Sequence, residues 1–288
     1  MKVRIGVALG GRALADLGRY GEVIDALDDL RFDSVWIPET FLAGTLDPIV
    51  ALSFAAARVE RLKLGTHLVT PGRNPFALAK ALAQLDRLSN GRLLLTFVAG
   101  INDPNERKAQ GMPTGDRTTW FDAHLPRMRA WWAGEEVDGL TLDTTPTQQP
   151  LEVWLGGQAV SALDRAARLA DGWLPGAITI AEAKHSRNTI DRLCADLGRE
   201  QLSREHFGIN LVYALDEARS TPPALTMRPR GVGDATEVTA VGADALRTLV
   251  ERWVDAGFTK IVVRPIAPPD DWAAELRELA DAVVGLQT

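Results

Sequence analysis

Two strand-like apolar runs and the helix between them fix the topology of this chain. Leu62-Lys63-Leu64-Gly65-Thr66-His67-Leu68-Val69-Thr70 reads as one strand, and Arg92-Leu93-Leu94-Leu95-Thr96-Phe97-Val98-Ala99-Gly100 as the next. Pro71-Gly72-Arg73-Asn74-Pro75 leads from the first strand into a helical run, Phe76–Leu88, which Ser89-Asn90-Gly91 stops. Apolar strands joined through a helix lie parallel, and the crossover is right-handed in nearly all proteins. The polar and glycine positions gather at the carboxyl ends of both strands, where parallel α/β folds place their ligands. A ligand end is thus marked before any catalytic residue is chosen.

The same alternation runs through the rest of the chain. Further strands are predicted at Val3–Leu9, Ser34–Pro38, Leu151–Leu155, Gly172–Gly176, His206–Leu215 and Lys260–Arg264. Helices are predicted at Leu17–Leu30, from Asp47-Pro48 onward, and at Phe121–Trp132, Ser161–Ala170, Ile180–Gly198, Ala243–Ala256 and Trp272–Val284. Asp47 suits a helix cap and Pro48 the first turn, where no amide partner is needed. Eight strands alternating with helices over 288 residues is the count of a (β/α)8 TIM barrel, read here as a single α/β domain over 1–288. Loop insertions are predicted near 133–150 and 216–239, and substrate choice is assigned to them. A doubly wound sheet shows similar alternation, but neither GxGxxG after a first strand nor GxxxxGK[ST] occurs.

Composition narrows the function. A net charge of −6 argues against general nucleic-acid binding, which needs basic surface to neutralise phosphates. The one cysteine, Cys194, excludes an internal disulfide and a cysteine-rich metal site. No apolar run approaches the roughly 20 residues of a membrane span, so a soluble, cytoplasmic protein acting on a small molecule is expected. The four histidines fall in no metal-binding spacing, no metal is expected, and no G-x-S-x-G elbow is present.

The loops after the strands hold glycines, an arginine and a few polar groups, which suits a bulky planar cofactor with a phosphate tail. Gly156-Gly157-Gln158, just before a helix, is the candidate phosphate turn, since helix-start amides point outward and glycine permits close approach; a tight turn without a ligand is the alternative. Arg117 is placed to reach the same phosphate, or is a surface arginine. His67 stands in an apolar strand, either as a satisfied core residue or at the mouth, where it would hydrogen-bond a ring or donate a proton. Glu39 ends the second strand as a candidate acid or base, or as a cap or salt-bridge partner of a neighbouring loop.

Several motifs resemble the luciferase-like monooxygenase superfamily, and within it the coenzyme F420-dependent oxidoreductases. They are Phe32-Asp33-Ser34-Val35-Trp36, Arg61–Thr66, Arg73-Asn74-Pro75 with Ala79-Lys80, Leu85–Arg92, Val153–Gly157 and Ala170–Pro175. The resemblance spans essentially the whole chain and implies a (β/α)8 barrel, a homodimer, and a deazaflavin held over the carboxyl ends of the strands. It implies cofactor contacts from Thr40, His67, Leu68, Val69, Thr70, Gly100, Ile101, Asn102, Arg117, Gly156, Gly157, Gln158, Pro175 and Gly176. It also implies a non-proline cis peptide within His67–Thr70.

One departure bears on the reaction. Where sugar-phosphate dehydrogenases of this group carry a His after strand two and a Glu after strand four, this chain has Glu39-Thr40-Phe41 and Gly100-Ile101-Asn102. The expected activity is therefore hydride transfer between F420 and another organic substrate, by a reductase or a different alcohol dehydrogenase. An FMN-dependent monooxygenase and a non-catalytic F420 or flavin binder are the alternatives.

Overall fold

The computed structural model describes residues 2–10, 19–112, 116–216 and 235–288. Among these, nine strands form one parallel sheet: β1 (Arg4–Ala8), β2 (Ser34–Pro38), β3 (Lys63–Val69), β4 (Leu93–Val98), β5 (Val153–Leu155), β6 (Gly172–Trp173), β7 (Gly208–Ala214), β8 (Thr239–Val241) and β9 (Lys260–Pro265). The order is β6-β5-β4-β3-β2-β1-β9-β7-β8. The sheet curls, and two isolated parallel bridges, Trp173 to Phe207 and Gly176 to Asn210, link the β6 edge to β7.

Nine helices pack outside the sheet among the described residues: α1 (Tyr20–Asp29), α2 (Pro48–Arg58), α3 (Pro75–Leu88), α4 (Pro104–Ala109), α5 (Thr119–Trp132), α6 (Val160–Leu169), α7 (Ile180–Asp196), α8 (Ala243–Asp255) and α9 (Trp272–Val283). Three of them begin alike. Asp47, Asn74 and Asp103 each accept hydrogen bonds from first-turn amides, and Pro48, Pro75 and Pro104 follow where the missing N–H costs nothing. Strand residues alternate sides, so Ile5, Val7, Val35, Ile37, Leu64, Leu68, Leu95 and Phe97 face the helices and form the main core with them. No described helix is long and apolar enough to cross a membrane.

All eight strands read from the sequence are present, with two differences in the inventory. The short strand β8 pairs in parallel with Val212–Ala214, where the sequence suggested the end of an insertion. The helix α4 is the second difference: six residues are too few for a readable apolar stripe.

The loop between α5 and β5 precedes a strand, so it lies at the amino ends of the strands. Gln148 there donates from its backbone and side chain to Asp86 and from its side chain to the Leu93 carbonyl. This corrects the assignment of Ala133–Pro150 to substrate choice: the loop packs under the fold, at the end opposite the carboxyl ends of the strands. Most of the other insertion, residues 217–234, lies outside the described residues.

Candidate functional site

The concave side of the sheet is filled from the bottom by two indoles. Trp36 and Trp154 form a small apolar cluster with Ala8, Leu174 and Val262, separate from the main core. Glycines on neighbouring strands make the room. A Cβ at Gly65 would lie 2.3 Å from Trp36 Cδ2, and one at Gly172 would lie 2.4 Å from Trp154 Cδ2. Trp36 Nε1 is satisfied by Ser34 Oγ at 2.9 Å. Below the indoles, a cleft at the amino ends is bordered by Arg4, Lys63, Lys260 and Glu152. The tryptophans therefore floor whatever binds at the carboxyl end.

Above that floor stands a polar layer. His67 pairs in register with Thr96, and its ring lies 5.1 Å from that of Trp36. The ring nitrogens of His67 and the Thr96 hydroxyl are all buried without a well-aligned hydrogen bond among the described residues, and only the Asn210 side chain comes near enough to His67 to act as a hydrogen-bond partner. Buried polar atoms are nearly always satisfied, so such a cluster at the open end of a strand layer marks a place for a ligand or water. Burial pulls the His67 pKa from 6.5 to about 4; hydrogen bonding by the Asn210 side chain opposes the shift and the Arg264 charge adds to it. His67 is thus neutral at pH 7, able to donate through one nitrogen and accept through the other. Asn210 is fixed by its own Nδ2 donating to the Pro175 carbonyl at 3.0 Å.

The mouth is braced loop to loop. Glu39, its side chain 6% exposed, pairs with Arg73 and accepts from Val69 N at 2.8 Å. Burial raises its pKa above 4.5, against the pull of Arg73 and the Val69 amide. Glu106 of α4 accepts from the Phe41 and Leu42 amides, both at 2.9 Å, and Gln110 donates to the carbonyls of Pro71 and Ala99. One short helix therefore ties together the loops after β2, β3 and β4. Its Asp103-Pro104 start repeats the Asp47-Pro48 signature, which is the signal that could have revealed it.

The description "luciferase-like monooxygenase" belongs to the family model that matches residues 2–284. This chain is a member of that family. A Mycobacterium tuberculosis protein provisionally named a coenzyme F420-dependent oxidoreductase is 25% identical over 300 residues, covering 90% of this chain and 79% of its own. The solved monooxygenase RslO1 of Streptomyces bottropensis superposes with a TM-score of 0.82 at 22% identity, covering 98% of this chain and 99% of its own. An F420-dependent secondary alcohol dehydrogenase, solved with an F420–acetone adduct, gives 0.79 at 17% identity with both chains fully covered. At these identities the two structural likenesses establish the fold.

In this luciferase-like scaffold, the residues expected to contact a cofactor fall into groups. His67 and Val69 face the concave side with Thr96, and Val69 Cγ1 would meet a Cβ at Gly100 at 3.1 Å. Thr70 is buried with its hydroxyl unpartnered. Leu68 is a correction: its side chain is fully buried in the helical layer, as strand alternation after His67 requires, and only its backbone borders the site. The expected cis peptide is a second correction. The described residues have none within His67–Thr70, because β3 keeps regular pairing with β4 through Val69 and leaves no bulge to absorb one.

Arg117 is a third correction. Its Nη1 donates to the carbonyls of Ala99, Gly100 and Ile101 at 2.7–3.0 Å, so it braces the loop after β4 and that nitrogen is not offered to a phosphate. Ile101 and Asn102 are exposed on that loop, and Thr40 is tied to Thr45. The Gly156-Gly157-Gln158 turn keeps its open form. Gly157 takes φ +103°, the turn is solvent-facing, and α6 begins without a side-chain cap. Gln158 Nε2 donates to the Gly176 carbonyl at 2.6 Å, joining the loops after β5 and β6, while Pro175 is buried and its carbonyl accepts from Asn210.

Proposed function

We propose that this protein is a coenzyme F420-dependent oxidoreductase that transfers a hydride between the deazaflavin and a small organic substrate, within a (β/α)8 barrel closed at the β6–β7 bridges. The observation that carries the reading is the buried, under-satisfied set of His67 nitrogens and Thr96 hydroxyl, with only Asn210 beside the imidazole, held above Trp36 at the carboxyl ends of the strands. A planar ring rich in carbonyl and N–H groups is the kind of group that satisfies such atoms. The provisional F420 name of the mycobacterial relative supports the choice of ring.

When bound, F420 supplies two-electron hydride chemistry at its C5, and the protein supplies distance, face and electrostatics. His67, Val69, Thr70, Thr96 and Gly100 would border the ring. The uncapped start of α6, with Gly156 and Gly157, would bind the phosphate through backbone amides. His67, kept neutral by burial, orients a ring or substrate by hydrogen bonding and is no cationic acid at pH 7. Phe41, Leu42 and Ile101, exposed on the loops after β2 and β4, would cover the site against water. Glu39, paired with Arg73, is a positioning group rather than the acid or base expected for its place in the chain.

The test is a titration of the purified protein with F420 and with FMN, read by quenching of each chromophore's fluorescence. Saturable F420 binding in the micromolar range, followed by oxidation of reduced F420 with enones or quinones or its reduction with alcohols, is expected. Binding of FMN without F420 would overturn the reading in favour of a flavin monooxygenase.

A further inference from the structure

Where β2 and β3 run out, one side chain takes over from the backbone. Glu39 N donates to the His67 carbonyl at 3.1 Å, the last such bond between these strands. In a parallel ladder, the next bond would run from the Val69 amide to the Glu39 backbone carbonyl. The Glu39 carboxylate accepts it instead, through Oε2 at 2.8 Å. Its other oxygen pairs with Arg73 Nη2, and Arg73 Nε returns to the Val69 carbonyl at 3.0 Å. Both polar groups of Val69 are thus held in a closed circuit of two charged side chains, with Asp47 3.7 Å from Arg73 at its edge.

The cost of this arrangement is a buried carboxylate, which a loop without a task has no reason to carry. Its effect is local. The chain after Glu39 is free to turn away toward Phe41 and Leu42, while β3 stays in place to Val69, two residues beyond His67, its last backbone support on that side. The Val69 side chain meets Gly100 on the loop after β4. We infer that Glu39 and Arg73 form a positioning clamp on the Val69 peptide, setting the wall against which the cofactor ring seats. This rests on the reading that the His67–Gly100 region holds a deazaflavin or flavin ring.

Two measurements on the full-length protein test it separately. Hydrogen exchange at the Val69 amide reads the clamp without any ligand. In Glu39→Ala it is expected to quicken about tenfold or more, the worth of a hydrogen bond to a charged acceptor. The dissociation constant of F420, from fluorescence quenching, is expected to rise by a similar factor. If Glu39→Ala does not fold, Glu39→Gln and Arg73→Gln carry the same two readings, with smaller changes in the same direction. Unchanged exchange at Val69 overturns the clamp. Faster exchange with unchanged affinity overturns the positioning role, since a merely structural carboxylate lowers the melting temperature alone. If FMN binds in place of F420, the comparison is made with FMN, and only the choice of cofactor falls. If the wild type binds neither, the cofactor reading and the positioning role both fall, while the exchange result still decides the clamp.

Discussion

Gly65→Ala probes the floor of the candidate site most directly. The new Cβ would sit 2.3, 2.5 and 2.6 Å from three carbons of the Trp36 indole, all far inside van der Waals contact. The indole cannot retreat. A Cβ at Gly6 would lie 2.6 Å from its Nε1, so β1 already closes that edge; Ser34 holds the same nitrogen, and His67 packs 5.1 Å away. Overpacking of this kind costs about 1–3 kcal/mol, and replacing a strand glycine by alanine returns about 0.5–1 kcal/mol. Three contacts this short put the cost at the upper end of that range, so the net loss is about 2 kcal/mol, or a fall of about 4 °C in melting temperature at this chain length. Thermal unfolding followed by circular dichroism measures it, with Gly44→Ala as the control, since nothing lies within 4 Å of that position. In a Trp36→Leu background the cost of Gly65→Ala should shrink by more than about 1 kcal/mol, because the two residues are in contact. Equal melting temperatures for Gly65→Ala and Gly44→Ala, or an unchanged cost in the Trp36→Leu background, would refute the packing argument.

Three further outcomes are expected. His67 has its pKa lowered to about 4 from 6.5, so the unfolded chain binds the extra proton first; stability should decline as pH falls from about 6.5 toward 4, with a shallower slope in His67→Gln, measured by urea titration across that range. For Asp33, burial is outweighed by the Lys260 and Lys63 charges, which hold its carboxyl at about 2; its contribution is present above pH 3.8 and lost as pH falls toward 2. Asp33→Asn strands the buried Lys260 ammonium and should cost about 3–5 kcal/mol in chemical denaturation at pH 7, and a loss below about 1 kcal/mol would show that the pair is not holding the amino end together. Cys194 is fully buried with its pKa raised chiefly by that burial, so a thiol reagent at pH 8 should label it only after unfolding, and rapid labelling of the native protein would contradict the packing of α7.

Most of the architecture could be read from the chain because its signals are local. Apolar runs of the right length, Asx-Pro helix starts at Asp47 and Asn74, and Ser89-Asn90-Gly91 at the end of α3 are decided by residues a few positions apart. The glycines at the carboxyl ends likewise marked the turns after Leu155 and Val98, where Gly157 and Gly100 take positive φ. What failed was whatever depends on a partner distant in sequence. That Glu39 has an ion-pair partner is decided by Arg73, 34 positions on. Arg117 turns to three carbonyls 16 to 18 residues earlier instead of toward the α6 turn. The Ala133–Pro150 loop reads as an insertion that chooses the substrate until Asp86, 62 residues before Gln148, fixes it to the other end of the fold.

The opening strand–helix–strand unit shows the same division. Its sequence determined two parallel strands, their connecting helix, and the end at which a ligand would bind, since chain direction and side-chain alternation follow from backbone geometry alone. The tertiary structure decided which of its buried groups are left short of partners. His67 and Thr96 are 29 residues apart on adjacent strands, paired by register above a tryptophan from a third. Whether a polar atom is satisfied is a property of everything packed around it, and that exists only once the chain has folded.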